Sequence, residues 1–122
     1  MRCSFRALLT SAVDKAMGRI ISVNTEDFEN GIKNGIALVD FSAPWCVPCL
    51  AQKPIIDELA KRFRGRAAFV EVNVDENRQS AMKLRIMSIP TIIIFKEGQE
   101  VQRFVGLQPE DRLSGAIEKA LK

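Results

Sequence analysis

The 122-residue chain has no histidine and no tyrosine, only three cysteines and one tryptophan, and no apolar run of the roughly eighteen residues needed to cross a bilayer. Without histidine it lacks the commonest metal ligand, the commonest general base and the usual partner of a nucleophilic cysteine. Cys3, Cys46 and Cys49 are too few to close a structural zinc site unless a carboxylate is recruited, and too unevenly placed for a secreted disulfide framework. The missing tyrosine and a net charge of only +3, its basic residues scattered among acidic ones, argue against nucleic-acid binding, since only Lys61, Arg62, Arg64 and Arg66 lie close together. There is no internal repeat, low-complexity stretch or linker. What is present, 47% hydrophobic and 27% charged residues, is the balance of one soluble globular domain able to bury its own core.

Residues 1–18 read as an N-terminal extension and residues 19–122 as the domain. In "MRCSFRALLTSAVDKAM" (1–17), Phe5, Leu8, Leu9, Ala12, Val13 and Ala16 fall on one helical face, so the extension is expected to be an amphipathic helix or disordered. Its apolar stretch is short and ends in "DK", a poor secretory signal, and membrane attachment is not expected. A cytoplasmic location follows, with organelle targeting through residues 1–18 as the alternative. Cys3 reads as incidental.

From residue 19 the pattern alternates. "RIISV" (19–23) predicts a strand, and "NTEDFENGIKNG" (24–35) a short helix with acids in its first turn. "IALVDFSA" (36–43) is a near-continuous apolar run, as in a strand buried on both faces, with Asp40 in its middle. A helix containing Pro54 follows over 47–63, then a strand over 67–75, a helix over 76–86, a hairpin over 91–106 turning at Gly98, and a helix over 108–122 opened by Pro109. This order implies an α/β fold: a mixed sheet with helices on both faces and an antiparallel hairpin at the end.

"WCVPC" (45–49) falls where the central strand meets a helix. There the Cys46 sulfur lies near unpaired backbone N–H groups and the positive helix end, which favour the thiolate and draw the pKa from ~8.5 towards ~7. Cys49, one turn on and inside the helix, is expected to be the less exposed sulfur. The asymmetry implies a sequence of steps: Cys46 attacks a disulfide, and Cys49 then displaces the product and leaves a Cys46–Cys49 bond. Asp40, buried and therefore of raised pKa, is a candidate to take the Cys49 proton. The competing reading, a pair of small core cysteines, does not account for Trp45 and Pro48.

With "SIPT" (88–91), "FKEG" (95–98) and "FVG" (104–106) at matching spacings, "VDFSAPWCVPC" resembles the thioredoxin family over about residues 19–122. The resemblance implies a thioredoxin fold with a central mixed sheet of about five strands flanked by four helices, here with an extra N-terminal helix. It implies Cys46 as nucleophile, Cys49 as resolving cysteine and Asp40 as the buried acid. Trp45 and Pro48 would flank the site and Pro90 would be a cis-proline. Ile89, Val105 and Gly106 would bind an extended substrate segment. It further implies a monomeric protein disulfide reductase that needs no cofactor beyond its dithiol, acts on disulfide-containing client proteins and is recharged by a thioredoxin-reductase-type donor. An oxidase or isomerase of shifted potential, or a binding subunit on the same fold, are the alternatives. Four departures stand out. Val47 replaces a glycine and should crowd the helix start; Leu50 replaces a basic residue. Glu71 stands where a lysine is common and either faces Asp40 or points outwards; Ser42 replaces an aromatic and should thin the packing.

Overall fold

A computed structural model describes residues 20–22 and 32–122. The expected N-terminal helix and most of the expected helix over 24–35 lie outside these residues, and 32–35 turn into the first long strand. The described elements are β1 (Ile20–Ser22), β2 (Ile36–Ser42), α1 (Val47–Arg62), β3 (Ala67–Asn73), α2 (Arg78–Lys83), β4 (Thr91–Lys96), β5 (Gln99–Val105) and α3 (Glu110–Leu121). Among the described residues five strands form one sheet in the order β1-β3-β2-β4-β5. β1 and β2 run parallel to β3, whereas β4 runs antiparallel to both β2 and β5.

The apolar run of β2 is explained by its central place: every residue from Ile36 to Ser42 is buried. Alternate side chains go to opposite faces. Ile36 and Leu38 join Phe69, Ile92 and Ile94 beneath Ile56 and Leu59 of α1, Phe63 at its C-terminal cap, and Leu113 and Ile117 of α3. Ala37, Val39 and Phe41 join Val70, Val72, Ile93 and Phe95 on the other face, which Leu84 and Ile86 help to cover. By the same alternation Asp40 lies on the face of Leu38, towards α1.

β3 and α2 are shorter than the sequence pattern predicts: α2 stops early where Arg85 takes a positive φ of 57°, and a single side chain ends the strand and delays the helix. The Asn73 side-chain oxygen accepts the backbone N–H groups of Asp75 (2.9 Å) and Glu76 (3.3 Å), an Asx turn that takes the chain out of the strand and delays the helix. The hairpin turns on Glu97 and Gly98, both at positive φ (51° and 81°), as a two-residue turn matched to strand twist requires. Pairing shifts between Ile94 and Phe95, whose partners are Gln102 and Glu100, leaving Val101 as a bulge on the edge strand.

Candidate functional site: a sulfur pair at the β2–α1 junction

Cys46 is the N-cap of α1 with extended backbone angles (φ −89°, ψ 111°). Its sulfur does what a serine or aspartate oxygen does in an ordinary cap: it accepts a backbone N–H, from Cys49, at 3.3 Å. Pro48 occupies the first turn, where a missing N–H costs nothing. No acidic residue stands in that turn, so the positive end of the helix acts on the sulfur without a competing carboxylate.

Cys46 and Cys49 are joined as a disulfide, their Cα atoms 5.2 Å apart. Both residues are equally buried, at 5% exposure. The expected difference in exposure is therefore not seen between the two residues in this disulfide form. Val47 is 74% exposed; its side chain leaves into solvent and does not crowd the helix start.

Asp40 is almost fully buried, and among the described residues nothing donates a hydrogen bond to its Oδ1. Its pKa is pushed up from 3.8 to about 7, first by burial and then by the charge of Glu71, with Lys53 opposing. The registers explain why: Asp40 is paired with Glu71 on β3, so both side chains stand on the same face of the sheet. Glu71 thus faces the buried acid and does not point away from it. A cavity of about 260 Å³ beside the pair is lined by Ser42, Cys49, Lys53 and Glu71, among others. The small Ser42 leaves that space open at the site.

Three loops bring the remaining residues singled out in the sequence to the same end of the sheet. Ile89–Pro90 is a cis peptide, and the Ile89 carbonyl oxygen lies 3.9 Å from Cys46 Sγ. The Gly106 N–H donates to the Pro90 carbonyl at 2.8 Å, and Val105 is paired with Thr91. Gly106 holds φ at 91°, a conformation glycine adopts without penalty. Trp45, two-thirds exposed, and Val105 form an apolar rim beside the sulfurs.

Sequence reasoning missed three participants. Asp75 accepts the Trp45 indole N–H at 2.7 Å, a contact across thirty positions that no local pattern announces. Gln52 and Gln108 bond to each other across the buried base of the rim. A signal for Gln52 did exist: it interrupts the stripe Cys49, Ile56, Leu59, Ala60, and a polar residue on an apolar face marks a buried hydrogen bond. Asp75→Ala is expected to release the indole, seen as lower tryptophan fluorescence anisotropy, while stability falls by no more than about 1 kcal/mol because the contact is exposed. Asp75→Asn keeps an acceptor and should retain most of the anisotropy.

Residues 19–119 match the family model described as Thioredoxin. The chain belongs to the thioredoxin family. It is 43% identical over 102 residues to a thioredoxin of Staphylococcus aureus, covering 84% of this chain and 98% of the relative. Among solved structures, a mutant thioredoxin from Halobacterium salinarum superposes with a TM-score of 0.81 at 31% identity, covering 88% of this chain and 95% of that one. The Malassezia sympodialis thioredoxin Mala s 13 gives 0.77 at 28% identity, over 86% and 93% of the two chains. The fold is thus the thioredoxin fold, and the protein is a thiol–disulfide oxidoreductase acting on protein disulfides through Cys46 and Cys49. Thioredoxins carry their electrons in this dithiol without a cofactor, and thioredoxin reductase supplies them. Among the described residues there is no cluster of three or more His, Cys, Asp or Glu suited to a metal ion, and no helix long and apolar enough to cross a membrane.

Proposed function

We propose that the chain works as a cytoplasmic protein disulfide reductase, with Cys46 as nucleophile, Cys49 as resolving thiol and Asp40 as proton acceptor. The observation that carries the reading is the Cys46 sulfur serving as helix cap, bonded by the Cys49 N–H, with the second sulfur within bonding reach. A capping sulfur gains most when it is an anion, because the N–H and the helix end both favour negative charge.

The Cys46 thiolate attacks one sulfur of a client disulfide; a Cys46–client bond forms and the other client sulfur leaves as thiolate, to be protonated by solvent. Asp40, its pKa pushed up to about 7 by burial and by Glu71, takes the proton of Cys49, the cavity beside the pair giving solvent a route for it. The Cys49 thiolate then attacks Cys46 Sγ, the second client sulfur departs, and the Cys46–Cys49 disulfide remains. Two electrons have moved to the client, and a thioredoxin-reductase-type donor returns the pair to the dithiol. The extended client segment lies across Trp45, Pro48 and Val105, pairs with the backbone of Ile89 beside Pro90, and passes close to Gly106, which has no side chain to obstruct it. Support comes from the exposure of the rim and from the Ile89 carbonyl beside Cys46 Sγ.

The test is reduction of insulin by dithiothreitol with and without the protein, followed by turbidity. Acceleration at catalytic concentration is expected. Equilibration with glutathione fixes the direction: a pair that becomes a disulfide only in strongly oxidising mixtures would be an oxidase, and the reductase reading would fail.

A further inference from the structure

The side chain of Gln52 is fully buried, and both ends of its amide are used on one residue. Its Nε2 donates to the Gln108 carbonyl at 3.0 Å and its Oε1 accepts the Gln108 N–H at 2.7 Å. Gln108 is itself buried, and its own Nε2 donates to the carbonyls of Val105 and Gly106, each at 3.3 Å. The Gly106 N–H continues the chain of bonds to Pro90. One hydrogen-bonded path therefore runs from α1, one turn past Cys49, through the loop before α3 to the cis-proline loop. It joins the three segments that surround the sulfurs.

An apolar pair would fill the same space without the cost of burying two amides. What the amides add is direction: two antiparallel hydrogen bonds fix both the distance and the rotation of Gln108 relative to α1. The strip held in this way is open outward, since a Cβ built on Gly106 would meet nothing within 4 Å, and Val105 beside it is 60% exposed.

We propose that Gln52 and Gln108 are positioning residues for client binding: they hold the Val105–Gly106 strip at the height over Cys46 at which an extended protein segment can span it and the Ile89–Pro90 loop. The inference rests on the client-docking reading given above. The amide pair touches neither sulfur, so its loss acts on how a protein client is held and leaves the exchange step intact.

The experiment compares Gln52→Met, close to glutamine in length but without hydrogen bonds, with the wild type on two substrates: insulin, and cystine, which is too small to span the strip. Loss of two buried bonds is expected to raise KM for insulin about fivefold to tenfold, with kcat and the rate on cystine within about twofold. Gln108→Ala, which keeps the backbone bonds to Gln52 and removes those to Val105 and Gly106 together with the contact from Arg112, is expected to show a smaller rise of the same kind, and keeps the test available if the Gln52 variant folds poorly. An unchanged insulin KM in a folded variant overturns the proposal, as does an equal loss on both substrates, which would place the effect at the sulfurs. Val105→Asp separates the two layers. If it raises insulin KM and the glutamine variants do not, clients dock on the strip but the amides do not set it. If it has no effect, the docking reading fails and the glutamine role with it.

Discussion

Cys46→Ser is expected to stop turnover of insulin disulfides, with a loss of roughly a thousandfold or more, while Cys49→Ser stops turnover and accumulates a covalent protein–client adduct. The difference follows from the helix cap. The sulfur at Cys46 accepts the Cys49 N–H and stands at an uncompensated helix N-terminus. A serine hydroxyl can accept the same bond, so the Cys46→Ser fold and helix start survive, but its oxygen is neither ionised nor able to exchange with a disulfide. Cys49→Ser leaves the Cys46 thiolate and its environment in place; only the displacing group is lost, and the mixed disulfide has no internal exit. Mass spectrometry of the non-reduced mixture reads both outcomes. An adduct on Cys46→Ser, made through Cys49, would reverse the assigned order of attack.

The second large effect is on stability, and it runs against intuition: Asp40→Asn should stabilise the protein at neutral and alkaline pH. In the unfolded chain Asp40 ionises near 3.8, and in the fold near 7. The folded state therefore holds its proton more tightly. Its contribution is fully present below about pH 4 and is lost progressively as pH rises through about 7. The interval from 3.8 to about 7, at 1.36 kcal/mol for each pH unit, comes to roughly 4 kcal/mol. Asparagine removes that burden. Urea midpoints of wild type and Asp40→Asn should lie close together near pH 4 and separate increasingly up to about pH 8, the variant being the more stable. A constant separation would sink the explanation. The gain costs function: without the proposed proton acceptor, release of client from the mixed disulfide should slow on the order of a hundredfold. Glu71→Gln offers an internal check. It removes a charge that raises the Asp40 pKa, so the separation from Asp40→Asn should still open above about pH 4 but level off at a lower pH and end smaller.

The burial of an acid in an otherwise apolar strand is why Asp40 stood out in the sequence at all. Within "IALVDFSA" every other position obeys the rule of a strand buried on both faces, and an acid breaking that rule marks chemistry. The same reasoning applied to α1 would have flagged Gln52, the polar residue on an apolar stripe; its partner could not have been named. Val47 shows the opposite case. The expected crowding came from the residue type alone, and the direction of the side chain, out into solvent, depends on where the helix axis points after the turn.

The sequence by itself determined the alternation of strands and helices, the central strand, the hairpin at Glu97–Gly98 and the sulfur pair at a helix start. Each of these is written in spacing within about a dozen residues, where periodicity and turn chemistry act. Only the tertiary structure decided that Glu71 faces Asp40, that Asp75 holds the indole of Trp45, and that Gln52 and Gln108 tie the loops around the sulfurs together. Those contacts join residues thirty or more positions apart. Their partners are chosen by sheet register and by the packing of α1 against the loop before α3, geometry that exists only once the whole core has closed.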